Sequence, residues 1–194
     1  MNVLRYAVPA ALVLTVSGCG INSIPTYEEE AKARWADVQA SYQRRADLIP
    51  NLVETVRGFA TQEREVLTQV TEARASATQV QVTPEQLSDP AKVQEFQSAQ
   101  NNLSGALGRL LVTVEKYPDL RSQENFLALQ SQLEGTENRI NVSIRDYNEA
   151  VRQYNTEVRT FPGIIGAKVI HGAEPLTPFQ ATTPNADKAP AVKF

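Results

Sequence analysis

Apolar residues recur at every seventh position along most of this chain, in three blocks separated by proline-containing breaks. In the first block, stepping by seven from Trp35 reaches Tyr42, Ile49, Val56, Glu63, Val70 and Ala77, and a companion seam runs Val38, Arg45, Leu52, Phe59, Val66 and Ala73. Two adjacent seams of this period form one face of an α-helix that packs against other helices. The pattern predicts a first helix from Glu28 to about Thr78, preceded by a short tether from Ile21 to Tyr27. Only Pro50 and Gly58 interrupt it. The stripe keeps its phase across Pro50, which predicts one helix bent there. The alternative is a restart at Leu48 under an Asp47 cap, with Pro50 harmless in the first turn.

Gln79 to Asp89 reads as a turn region, with Thr83-Pro84-Glu85-Gln86 at capping-box spacing and Asp89-Pro90 as an N-cap followed by a first-turn proline. A second helix is expected from Pro90 to about Lys116, with the stripe Phe96, Leu103, Leu110 and Tyr117. Its Gly105 and Gly108 cost helix propensity and are read as letting a neighbouring helix approach closely rather than as a ligand site. After the break at Tyr117-Pro118-Asp119, a third helix runs to about Phe161 on the seam Phe126, Leu133, Ile140, Tyr147, Tyr154 and Phe161. No alternating strand pattern competes. The predicted fold is all-α: an elongated antiparallel up-and-down helical bundle over residues 28–161, with three long helices, or four if the first is broken at Pro50. At about 1.5 Å per residue, a first helix of some 50 residues would be roughly 75 Å long. Residues 162–194 carry Pro162, Pro175, Pro178, Pro184 and Pro190 among Gly, Ala and Thr, and are expected to be a flexible tail. Its one apolar patch, Gly163 to Ile170, is suited to fold back onto the bundle end or to contact a membrane.

The N-terminus changes the picture of where this bundle sits. Arg5 and the terminal amine form a small positive head, Tyr6 to Val16 an apolar run, and Ser17-Gly18 the small residues that precede a signal-peptidase cut. The run is about half the roughly 20 residues a spanning helix needs. Val16-Ser17-Gly18-Cys19 resembles the bacterial lipobox, so residues 1–18 are read as a lipoprotein signal peptide, Cys19 as the site of lipid (palmitate-type) attachment and 19–27 as a lipidated tether. An ordinary secretory signal followed by an incidental cysteine is the alternative. Gly20, where Asp often signals inner-membrane retention, leans toward the outer membrane and its periplasmic side. Cys19 is the only cysteine, so once acylated it leaves no thiol for a disulfide, a metal or nucleophilic catalysis. The net charge of −3, made more negative by loss of Arg5, argues against nucleic acid as a partner.

Candidate chemistry is sparse. His171, the sole histidine, lies in the tail, so no catalytic triad or zinc set can be assembled in the bundle. Glu63 falls on the apolar seam and Glu137 beside Ile140. Ionised carboxylates are costly to bury without partners, and Arg45 and Arg74 lie on or beside the same seam. The four residues are read as a buried polar network, with a carboxylate acid/base pair as the competing reading. Arg44-Arg45 is read as structural or solvated rather than as an anion site. The tandem unit Arg145-x-Tyr-Asn-x-x-Val151 and Arg152-x-Tyr-Asn-x-x-Val158 puts Tyr147 and Tyr154 on the seam with Asn148 and Asn155 beside it. The plain reading is a bundle seam with hydroxyls reaching its edge; the functional one is a polar strip read by a partner helix.

The segment Tyr42-Gln-Arg-Arg-Ala-Asp-Leu-Ile-Pro50-Asn-Leu-Val-Glu54 resembles the signature of the LemA family of bacterial envelope proteins. Glu63, Ala73-Arg74, Glu115-Lys-Tyr-Pro-Asp-Leu120, Asn125-Phe-Leu-Ala-Leu-Gln130, Arg145-Asp-Tyr-Asn148, Tyr154-Asn155 and Phe161-Pro162 follow in order, so the resemblance runs from Trp35 to Pro162. It implies an all-helical bundle held to the membrane at its N-terminus, typically by a transmembrane helix, which a lipid replaces here. It brings no catalytic residue and no cofactor. The resulting expectation is a non-enzymatic, membrane-anchored envelope lipoprotein presenting a rigid bundle to envelope proteins. A carboxylate-based hydrolase or metal-dependent enzyme, and a peptidoglycan-binding spacer, are the alternatives.

Overall fold

The structure, a computed structural model, describes residues 22–60 and 62–180. The signal peptide, Cys19 and the tail beyond Gln180 lie outside the described residues. Among the described residues there are six α-helices and no strand. The first, α1 (Ser23–Phe59), starts five residues earlier than the periodicity suggests. Pro25 falls in its first turn, where an amide would have no partner anyway, and Ile24 is fully buried in the core. Residues 23–27 are therefore the first turn of the bundle and not a tether.

Helix α1 runs through Pro50 without ending. Proline has no N–H, so the carbonyl four residues earlier, on Ala46, loses its helical donor. Arg74 replaces it, its Nε donating to the Ala46 carbonyl oxygen at 2.7 Å. Asp47 is a mid-helix residue that accepts from Gln43 Nε2, which removes the restart at Leu48. The break comes ten residues later. Ala60 leaves helical geometry with φ −120° and ψ 60°, and α2 (Arg64–Gln79) begins beyond it. The Arg74–Ala46 bond shows that α2 folds back along α1. One bent helix over 28–78 is thus corrected to two helices. A seven-residue stripe records that each helix has an apolar face; it does not record a turn between them.

After a short 3-10 turn, Pro84–Ser88, in which the Thr83 amide donates to Gln86 Oε1 at 3.1 Å, Asp89 caps α3 (Pro90–Val114) by accepting from the amides of Ala91 and Lys92. The short α4 (Pro118–Arg121) leads into α5 (Glu124–Arg159). Contacts between α1 and α5 pair Ser23 with Glu157, Ser41 with Ser143 and Arg45 with Glu137, so residue numbers rise along one helix as they fall along the other. The Ser23–Glu157 contact marks the lower end of the bundle.

Helix α2 has 16 residues against 37 in α1, so it lines only the upper part. There Leu52, Val56, Val70, Leu103, Leu110 and Leu120 form one core cluster. Lower down, the missing wall is supplied from elsewhere. Val82 and Leu87 of the connection, and Leu176 and Phe179 near the C-terminus, are buried in a second cluster with Trp35, Phe96, Tyr147 and Val158. The expectation of a flexible tail from residue 162 fails for its first part. Helix α6 (Gly163–Gly166) and a π-turn (Ala167–His171) fold onto the end of α5. Gly172, at φ 58°, then reverses the chain, and residues 173–180 run extended along the bundle. Prolines kept this stretch from being a helix, yet they left Leu176 and Phe179 free to fill the core.

Candidate functional site

The most polar place in the interior surrounds Arg45, whose side chain is 2% exposed. It comes from the α1 seam, and its guanidinium reaches across to α3 and α5. Nη1 donates to Ser104 Oγ at 2.7 Å and to Glu137 Oε2 at 3.1 Å; Nη2 donates to the Gln100 carbonyl at 3.1 Å and to Gln100 Oε1 at 2.9 Å. Gln100 Nε2 in turn donates to the Ala77 carbonyl at the end of α2. The Tyr42 ring lies 5.0 Å from the guanidinium carbon, a cation–π contact that helps hold a desolvated charge. Burial pushes the Tyr42 hydroxyl up to about 12. Glu137 is half-exposed and reaches in from the surface, so only one of the two charges bears the full cost of desolvation. Arg44, the neighbour in sequence, is exposed. The site ties four helices together at one level.

The other two residues expected in this network are elsewhere. Arg74 belongs to the Pro50 repair described above. Glu63 sits at the α1–α2 turn, half-buried, and accepts from the Tyr117 hydroxyl at 3.0 Å; that hydrogen bond raises the Tyr117 pKa. From residue 45 to residue 60 the helix climbs roughly 20 Å, so Glu63 and Glu137 are far beyond the separation of about 5–9.5 Å at which two carboxyls act on one bond. Among the described residues, no three His, Cys, Asp or Glu side chains are grouped to hold a metal ion.

The tandem Tyr-Asn unit has a use that the sequence reading missed. Asn148 Nδ2 donates to the Phe179 carbonyl at 3.1 Å while its Oδ1 accepts from the Phe179 amide at 2.8 Å. Asn155 does the same to Leu176, at 2.8 Å in both directions. Seven helical residues rise about 10.5 Å, and three extended, proline-bounded residues rise about 9–10 Å. A heptad of α5 therefore matches a triplet of the C-terminal segment. Between the two clamps, Tyr147 Oη donates to the Thr177 carbonyl at 2.9 Å, and the Thr177 amide donates to the Leu87 carbonyl at 2.8 Å. The partner of the Asn strip is the chain's own residues 173–180, not another helix. Burial raises the pKa of both Tyr147 and Tyr154.

At the upper end of the strip, Trp35 is packed against Phe96, Tyr147 and Phe179, with ring centroids 5.3, 5.3 and 5.6 Å away. Its indole N–H donates to the Val82 carbonyl at 2.9 Å. Gln100, Ser104, Leu176 and Phe179 were not singled out from the sequence. A signal for the last two existed: Pro175-Leu-Thr-Pro-Phe179 places two large apolar residues three apart, on one side of a polyproline-type chain with three residues per turn.

The model of the LemA family matches residues 34–194, which takes in the C-terminal segment as well as the helices. Magnetosome protein MamQ 2 and magnetosome protein MamQ 1 of Paramagnetospirillum magneticum are each 26% identical over 157 residues, covering 73% of this chain and 58% of the relative. Protein LemA of Metamycoplasma hominis is 26% identical over 124 residues, covering 64% of this chain and 52% of that protein. The chain thus spans a little over half the length of these relatives.

Proposed function

The chain belongs to the LemA family, and on that premise we propose that it is a membrane-associated, non-enzymatic envelope protein, tethered by a lipid on Cys19 and presenting an elongated antiparallel helical bundle to envelope proteins. The observation that carries the non-enzymatic part is the disposition of the interior polar groups. Arg45, Arg74, Asn148 and Asn155 each bond to backbone carbonyls or amides of a neighbouring segment, and the two seam carboxylates are on different levels of the bundle. Polar side chains here join segments together. The tether rests on the sequence Val16-Ser17-Gly18-Cys19. Among the described residues, no helix is long and apolar enough to cross a membrane. Two or more acyl chains hold a protein firmly where one is marginal.

The test is metabolic labelling with a clickable fatty acid followed by membrane fractionation. The parent chain should take the label and sediment with membranes; Cys19→Ala should take none and accumulate as a slower-migrating precursor. Equal labelling of the two, or an unlabelled parent, overturns the tether.

A further inference from the structure

At the lower end the apolar pattern is inside out. Residues 163–171 bury their smallest members, Gly163, Gly166 and Ala167, against the bundle. Ile164 is partly buried, but the other large ones, and Phe161 just before them, face outward: Phe161 is 74% exposed, Ile165 55%, Val169 77% and Ile170 56%. Among the described residues, these are four of the eight large apolar side chains that are exposed, gathered in ten consecutive positions. The inward face is fixed by geometry, since a Cβ on Gly163 would overlap the Glu157 carbonyl oxygen. Packing has thus selected small residues for the inside and cannot explain bulky apolar ones outside.

We infer that this end of the bundle seats directly on a lipid bilayer, with Phe161, Ile165, Val169 and Ile170 inserted at the boundary of headgroups and acyl chains and with Arg159 and Lys168 beside the lipid phosphates. The inference deepens the tethered reading and rests on it for orientation. Ser23 donates to Glu157 at 2.6 Å, so the first turn of α1 and the last turn of α5 meet here, one helical turn from Phe161. Only four residue steps separate Cys19 from Ser23, a reach of at most about 14 Å. A lipid on Cys19 therefore brings this end, and no other, against the bilayer. Large apolar residues flanked by basic ones, all exposed, are the composition that an interfacial segment requires, with long basic side chains extending to the phosphate level.

The experiment uses the full chain in vesicles of phosphatidylethanolamine and phosphatidylglycerol. Val169→Cys and, as a control, Val112→Cys carry an environment-sensitive thiol probe. Val112 is 65% exposed in the last turns of α3, roughly 50 Å up the bundle. The expected result is a blue-shifted probe at 169, quenched at least fivefold more by lipids bearing nitroxides on their acyl chains than the probe at 112. Equal quenching at the two positions overturns the inference. So does a blue-shifted but unquenched probe at 169, which would mean that protein covers the patch. Labelling of the parent chain by the thiol probe reports separately on the tether, because an acylated Cys19 cannot react. If it does react, the tether reading fails, and the same comparison on a Cys19→Ser background decides the docking by itself.

Discussion

Arg74 donates to a carbonyl that is free only because Pro50 lies four residues beyond it. The pair explains how a proline sits inside a helix of 37 residues without ending it. A buried acceptor stripped of its donor costs about 1–3 kcal/mol, so Arg74→Met should lower stability by that order in urea unfolding. Pro50→Ala restores a backbone amide able to bond Ala46. Arg74→Met should then cost clearly less in the Pro50→Ala background than in the parent. Equal costs in the two backgrounds would break the link. Arg45 and Arg74 were legible in the sequence as charges on or beside apolar seams, and Arg45 does reach Glu137. Glu63 was not placed correctly. Period assigns a residue to a face of its own helix, while its partner depends on which helix the chain folds beside it, and Tyr117 came from the far side of two turns.

Elements were legible where their ends carry chemistry. Asp89-Pro90 and Tyr117-Pro118 mark real boundaries, because a cap or a proline acts locally on the backbone. The break after Phe59 carries neither a cap nor a proline; Gly58 weakens the helix there but stays within it, and the return of α2 against α1 makes the turn favourable. The C-terminal segment shows the same limit from the other direction. Prolines and the lack of helical period pointed to mobility, but Leu176 and Phe179 need no period of their own when α5 supplies the clamps. Burying two side chains of this size contributes on the order of 3–6 kcal/mol, before the hydrogen bonds to Asn148 and Asn155 are added. A chain ending at Phe161 should therefore stay helical by circular dichroism while melting well below the full chain and binding a hydrophobic dye through its uncovered Trp35, Phe96 and Tyr147. An unchanged melting temperature would show that the segment contributes nothing.

For the whole molecule, these contacts define a rod whose lower half lacks one helical wall and is closed by the connection before α3 and by residues 173–180. The all-α class and the great length of α5 follow from the heptads, whereas the end of α1 at Phe59 does not, because the stripe runs on past it into α2. The closure could not be read there, because it depends on matching a helix rise of seven residues to an extended rise of three. Its consequence for function is that Asn148 and Asn155 are occupied within the chain, leaving the rod's outer surface and ends to meet other molecules. The measurement that tests this most directly is residue-resolved amide hydrogen exchange on the full chain, read at Leu176 and Phe179, whose amides donate to Asn155 and Asn148. Both should exchange slowly, with protection comparable to the lower half of α5, and both should lose it when Asn148→Ala and Asn155→Ala are combined. Exchange of these two amides at the rate of an unstructured peptide in the parent chain would contradict the account.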